Sequence, residues 1–442
     1  MLNILVLDPY KRAQHRIAKD NAGAYGTANH YGNNLFCKIL NFLVRYSYSS
    51  PPLYAAQIIG ELKSSGHNVE YDQKIPKKNY DLYIIISSIV CHETEIEVVK
   101  KLKLDKKNII AVGVFATTVP QKYIEAGAKV VSGEPDMFFH NFNYKKEELE
   151  KLPNLIKNFK TIDLNELSLP GWEIIFKFTK PKMKFLGPGN SIYIQSSRGC
   201  PYPCFFYCTY PTQQGRKLRF RDSSKILEEM NYFNKKLGVR NFIFRDPVFA
   251  ISKKHTMELC KKLINNKEKY NICIETHLNN IDEELALNLK TAGVKLIIVG
   301  VESGVEEIRK VSYRISETND KQLDKINFLE KIGIKIKANY IIGLPEDNEE
   351  TYYRTLNYAK LINSSYAQFN VFTPYPGTPA YLEYQDKIIT SKFEDFNQWK
   401  LIFKHKNFSS KKINNLLSES YTNYYLNPKW IIKFLKNKIL FN

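Results

Sequence analysis

The chain has 442 residues, 43% of them hydrophobic and 13% aromatic. That length exceeds one ordinary core and fits two or three domains, and the apolar content excludes a disordered chain. The formal net charge of +20 favours acidic partners such as anionic lipid, phosphorylated substrates or nucleic acid, or else a surface covered by lysine. The basic residues are scattered with no block of five or six, and no DNA partner is expected.

Residues 2–7 are apolar and read as a buried strand ending at Asp8, without the cationic start or small-residue cleavage site of a signal peptide. No run of about 18 apolar residues occurs, so no membrane-spanning helix is expected. Seven cysteines, three within nine residues, suit a reducing compartment and a metal site better than a disulfide framework, and a cytoplasmic location follows.

Residues 16–36, rich in Gly, Asn and Tyr, form a long loop after that first strand, either functional or an insertion. A helix is expected over 52–62, with short apolar strands at 69–71, 82–87, 109–112 and 129–131. Strands alternating with helices imply a parallel sheet covered on both faces, with ligands beyond the carboxyl ends of its strands. Those ends are Asp8, Ser87, Gly113, and Gly133 with Glu134.

The fold class expected is α/β. A Rossmann-like parallel-sheet domain spans 1–140, a linker 141–188, a partial (β/α)6 barrel 189–385, and a helical C-terminal extension 386–442. The barrel strands end near Ser196, Arg245, Glu275, Gly300, Leu344 and Thr373. The C-terminal tail is basic and apolar at near-helical spacing. It either packs on the barrel or makes peripheral contact with an anionic membrane.

The segment from Ser196 to Cys208 follows the apolar strand 192–194 and places Cys200, Cys204 and Cys208 at four-residue intervals. Three thiolates on one loop suit an iron–sulfur cluster, which usually takes four, and leave one iron open. Bulky Pro, Phe and Tyr neighbours screen such a cluster from water.

Residues 190–380 resemble the radical S-adenosylmethionine (SAM) superfamily, whose three-cysteine loop follows the first barrel strand with an aromatic residue, here Tyr207, before the last cysteine. The resemblance implies a [4Fe-4S] cluster on Cys200, Cys204 and Cys208 whose open iron chelates SAM, and reductive cleavage to a 5′-deoxyadenosyl radical. An external electron donor such as flavodoxin or ferredoxin is then needed. One departure stands out: the spacing is three and three residues rather than three and two. Segments 242–249, 274–277, 299–304, 338–345 and 372–379 resemble the later strand ends. By that resemblance Asp246, Gly300, Glu302, Ser303 and Ile342 contact SAM.

A Rossmann-like domain before such a barrel resembles the cobalamin-binding subfamily, which implies cobalamin between the domains, at Asp8, Ser87, Gly113, Gly133 and Glu134. No Asp-x-His-x-x-Gly motif follows the first strand. The function implied is a cobalamin-dependent C-methyltransferase, or a related radical transformation, acting on a small-molecule or lipid-like substrate. No catalytic residue is assigned. The alternatives are a radical SAM enzyme without cobalamin and an inactive binding or scaffold relative, suggested by the altered spacing. A tRNA methylthiotransferase would need three more cysteines in the first domain, where only Cys37 and Cys91 occur.

Overall fold

The computed structural model describes the whole chain except residues 12–15, 46–47, 50, 158–160 and 440–442. The first sheet contains β1 (Asn3–Leu7), β2 (Asn68–Asp72), β3 (Leu82–Ile86), β4 (Ile109–Val112), β5 (Lys129–Ser132) and β6 (Leu155–Lys157). All pairs are parallel, in the order β2-β1-β3-β4-β5-β6. The strands β3 and β4 are buried at every residue. This is why they carry no charged residue, reading Leu-Tyr-Ile-Ile-Ile and Ile-Ile-Ala-Val: helices cover both faces of the sheet.

β6 corrects the expected boundary. Residues 141–188 were expected as a linker, yet 155–157 pair with β5 and extend the first sheet past residue 140. Charge and proline in the surrounding segment mask a three-residue strand, too short to show a period.

The second sheet contains β7 (Ser191–Ile194), β8 (Asn241–Phe244), β9 (Asn271–Thr276), β10 (Val294–Glu302), β11 (Lys335–Ile342) and β12 (Tyr366–Val371). They pair in sequence order and in parallel, forming the partial barrel. In β11 and β12 burial alternates strictly. Lys337, Asn339, Gln368 and Asn370 lie on the face towards the barrel interior, and Ala338, Tyr340, Ala367 and Phe369 on the face under the helices.

The C-terminal region is helical over Ser410–Tyr425 and Pro428–Ile439. The last helix docks through Trp430, whose Nε1 donates to the Ser365 carbonyl at 3.3 Å, while Ile432 and Leu435 stay exposed. Among the described residues no helix is long and apolar enough to cross a membrane.

Residues 16–45 carry regular structure. They contain a short antiparallel hairpin, Arg16–Ala18 against Thr27–Asn29, followed by a helix over Leu35–Arg45. The hairpin lies between the carboxyl ends of the first sheet and the mouth of the barrel.

Candidate active site

The chain between β7 and the helix over Ser223–Leu237 is a closed loop carrying the cysteines. Its base is a two-residue antiparallel pairing of Ser197–Arg198 with Arg219–Phe220. Gly199 takes φ of +88°, and a Cβ there would stand 2.0 Å from the Lys217 carbonyl oxygen. Only glycine allows this close approach. Arg216 pins the far side, donating to the Pro201 carbonyl at 2.6 Å and stacking over Phe205.

The extra residue between Cys204 and Cys208 is absorbed by a helical turn over Pro203–Phe206. The Cys208 amide donates to the Cys204 carbonyl at 2.9 Å. Residues four apart on a helical turn share a face, so the longer spacing brings these two thiols together. Their hydrogen bond, helped by the Arg314 guanidinium, holds Cys204 below the usual thiol range against the effect of burial. The same hydrogen bond and burial push Cys208 well up. A thiolate is the form that binds metal.

Cys200, Cys204 and Cys208 line one cavity of about 240 Å³ at the barrel mouth, together with Tyr207, Gly300, Glu302 and Arg314. Among the described residues no three His, Cys, Asp or Glu side chains converge tightly enough for a single metal ion. A cubane cluster asks less, because each thiolate takes a different iron. Three thiols on one wall, one favoured as thiolate, fit such a cluster.

Another part of the lining is built by a break in the ladder. The β10–β11 register shifts between Gly300 and Glu302, and Glu302 takes φ of +69°. A non-glycine residue held in that region is strained, a state found disproportionately at functional sites. The break turns the Glu302 carboxyl into the cavity, where burial pushes it up to about 7 despite Arg314. A Cβ on Gly300 would lie 2.3 Å from Glu302 Oε1, so any side chain there displaces the carboxylate.

Of the five residues expected to contact SAM, Gly300 and Glu302 line the cavity, and Asp246, Ser303 and Ile342 do not. Asp246 is fully buried and accepts from the Ser196 amide at 2.8 Å and the Ser197 hydroxyl at 2.7 Å, bracing the root of the cysteine loop. The Ser303 hydroxyl pairs with Thr355 at 3.0 Å and accepts from the Val305 amide at 3.1 Å, which organises the turn after β10. Ile342 faces the helices, and its neighbour Ile341 faces the cavity. The strand alternation decides this, since a shift of one residue reverses the face.

Several cavity residues went unassigned. Arg314 lies in a loop where a lone arginine carries no signal. The polar members of β11, Lys337 and Asn339, were detectable from their alternation with Ile336, Ala338 and Tyr340. Lys337 is pushed down to about 8 by burial and the nearby Arg16. Asn339 Oδ1 and the Tyr375 hydroxyl are buried without a hydrogen-bond partner among the described residues. Such groups are costly unless a ligand or water meets them. His277 stacks on Tyr202 at 5.1 Å and is pushed down to about 3 by burial and Arg314.

Residues 194–359 match the Radical SAM superfamily model. They form a radical SAM domain. An uncharacterised methyltransferase of Pyrococcus horikoshii is 26% identical over 275 residues, 61% of this chain and 58% of that protein. The bacteriochlorophyllide d C-12(1)-methyltransferase of Chlorobaculum tepidum is 24% identical over 380 residues, 81% of this chain and 80% of that protein. The cobalamin-dependent S-adenosylmethionine radical enzyme OxsB, solved with aqua-cobalamin and S-adenosylmethionine bound, has a TM-score of 0.68 at 12% identity, covering 99% of this chain and 70% of its own. A parallel-sheet domain ahead of the radical SAM domain is thus shared with that enzyme. This chain spans little more than half the length of the Pyrococcus relative.

The strand ends of the first sheet face the radical SAM domain, but the chain itself satisfies them. Asp8 is buried with Lys19 at 2.9 Å and the Tyr71 hydroxyl at 2.9 Å. The Ser87 hydroxyl accepts from the Ala116 amide at 3.1 Å, and a Cβ on Gly113 would stand 2.8 Å from it. The Gly133 amide donates to Thr117 at 3.1 Å. Glu134 bridges Arg198 and Arg219 across the domain boundary. The cavity bordered by Asp20, Ala24, Tyr54, Glu134 and Arg198 measures about 40 Å³. On this measure a water needs about 10–15 Å³, so in this conformation that cavity takes a few waters and does not fit a corrin.

Proposed function

We propose that this chain is a radical SAM enzyme in which Cys200, Cys204 and Cys208 hold a [4Fe-4S] cluster. The reading is carried by three thiols that line one cavity together with Gly300 and Glu302. The cluster, when bound, supplies an open iron for SAM and the electron that cleaves it to a 5′-deoxyadenosyl radical.

The chain's own residues set the conditions. The hydrogen bond from Cys208, helped by Arg314, favours the thiolate of Cys204, the form that ligates metal. Gly300 lets SAM approach the backbone of β10, and Glu302 offers a carboxylate to its ribose hydroxyls. Tyr207 and Phe206 screen the thiols from bulk water. The polar face formed by Lys337, Asn339, Gln368 and Asn370 is where a small substrate would be oriented. The exposed Arg216 and Lys217 at the outer rim suit an acidic electron donor such as flavodoxin or ferredoxin. The exposed apolar side of the last helix is the candidate for peripheral membrane contact.

The finer reading is a cobalamin-dependent methyltransferase, supported by the two-sheet architecture shared with OxsB and by methyltransferases among the relatives. A radical SAM enzyme without a corrinoid is the second reading, favoured by the filled cleft between the sheets.

The test is anaerobic reconstitution with iron and sulfide, followed by assay of 5′-deoxyadenosine release from SAM under a reductant. Release by the wild type and none by Cys204→Ala is expected. Equal release by both proteins would refute the cluster assignment.

A further inference from the structure

The floor of the 240 Å³ cavity is a layer of side chains set by strand register. Glu275 pairs with Ile298, and Ile298 with Lys337, so the three lie side by side on β9, β10 and β11, and all line the cavity. Arg245, just past the end of β8, lines it beside Glu275. Gly300 and Asn339 pair two residues further along their strands, roughly 7 Å nearer the mouth.

The charges of this floor are unevenly matched. Arg245 lies 2.5 Å from Asp20 Oδ2 and 3.4 Å from Glu275 Oε2, which commits both carboxylates. Glu275 also accepts from the Tyr210 hydroxyl at 3.2 Å. Nearer the mouth, Arg314 is met by Glu302 and the Gly300 carbonyl. Lys337 stands two strands from Glu275, about 10 Å between backbones, with Ile298 between them. Among the described residues no carboxylate comes within ion-pair distance of its ammonium. Burial and the nearby Arg16 push its amine down to about 8. A cation drawn inside a protein without a counter-charge is costly, and a ligand that brings one removes the cost. On the same face of β11, Asn339 Oδ1 is buried with no partner among the described residues.

We propose that Lys337 anchors an oxyanion subsite: the substrate is a small molecule carrying a carboxylate or phosphate that pairs with the Lys337 ammonium, and a hydrogen-bond donor that meets Asn339 Oδ1. The inference deepens the proposed function and rests on it, since it takes this cavity as the substrate site. Layer spacing then sets where the chemistry falls. An anion held at Lys337 leaves roughly 7 Å to the level of Gly300, so the carbon that reacts is remote from the acid group rather than adjacent to it.

The experiment uses the full chain with its cluster reconstituted anaerobically, and formate and inorganic phosphate as probes. Only a neutral amine acetylates, so an anion that holds Lys337 as its ammonium slows that reaction. Lysines are trace-labelled with acetic anhydride at pH 8, with sodium chloride keeping the ionic strength equal, and each is read by peptide mass spectrometry. One of the probes should slow labelling of Lys337 by about threefold or more and leave the exposed Lys217 unchanged. Protection by formate assigns a carboxylate, and protection by phosphate alone assigns a phosphate ester. The protecting anion should also raise Tm in the wild type more than in Lys337→Met. An unchanged Lys337 rate with both probes, or an equal rise of Tm in the two proteins, would overturn the proposal. If 5′-deoxyadenosine release still depends on Cys204, such a result removes the subsite alone. Protection of Lys337 in a protein that releases no 5′-deoxyadenosine removes the radical chemistry and leaves the subsite standing.

Discussion

The Nε of Arg314 lies 3.9 Å from Glu302 Oε1, and its Nη2 donates to the Gly300 carbonyl at 2.7 Å. The same guanidinium hydrogen-bonds Cys204. One buried cation therefore serves both walls of the cavity, the thiol loop on one side and the end of β10 on the other.

Replacing it separates these duties. Arg314→Gln removes the cation but leaves the larger effect of the Cys208 hydrogen bond, so alkylation of Cys204 by iodoacetamide in the iron-free protein slows by less than about tenfold at pH 7, because the thiolate is the nucleophile. The deficit closes as the pH is raised. Equal alkylation rates in the two proteins at pH 7 would remove Arg314 from this role.

Gly300→Ala places a methyl group 2.3 Å from Glu302 Oε1 and 3.0 Å from Arg314 Nη2. The carboxylate must move. SAM affinity then falls about tenfold or more, equivalent to roughly 1.4 kcal/mol, while iron content stays at the wild-type value because the cysteine loop is untouched. Equilibrium dialysis with SAM and an iron assay read the two effects separately.

The domain boundary rests on Arg198, which is 3% exposed. It pairs with Glu134 and with Asp136, at 2.5 Å from Asp136 Oδ2. Removing one partner of a buried pair leaves the others uncompensated and costs about 3–5 kcal/mol. Arg198→Met should lower Tm markedly. Adding Asp136→Asn should cost less than the two single losses summed, as expected for residues in contact.

Asp347 gives a pH dependence of stability. Burial pushes its carboxyl up to about 6, although Thr351 and the Leu344 amide donate to it at 2.9 and 3.0 Å. In the unfolded chain an aspartate titrates near 3.9. The folded state thus holds this proton between those two values, and the stability it contributes is complete below the lower one and lost as pH rises through 6. At about 1.4 kcal/mol per pH unit, the advantage lost reaches roughly 3 kcal/mol. Stability of the wild type relative to Asp347→Asn should therefore fall between pH 5 and pH 7. A difference that stays flat over this range would show that Asp347 does not titrate there.

The cysteine loop and the glycine–glutamate pair at the end of β10 were legible in the sequence, because their chemistry depends on residues adjacent in the chain. So were the two runs of short apolar strands, since a strand covered on both faces must be apolar throughout. The helical turn that absorbs the longer cysteine spacing was not legible, because spacing alone does not say how the backbone winds. That Ile341 rather than Ile342 lines the cavity was not legible for a related reason: the face of a strand residue depends on register. That Asp246 and Ser303 brace turns was not legible either, because a buried polar residue at a strand end braces a turn as readily as it binds a ligand.

What the sequence by itself determined is the kind of chemistry: three thiols on a loop, at the head of a strand series that fits one superfamily. Only the tertiary structure decided which groups share the cavity and what fills the space between the sheets. Arg314 meets Cys204, and Lys19 meets Asp8 and Glu95, through contacts between residues far apart in the chain. The energy of such contacts depends on distance and burial, and neither is written in the local order of residues.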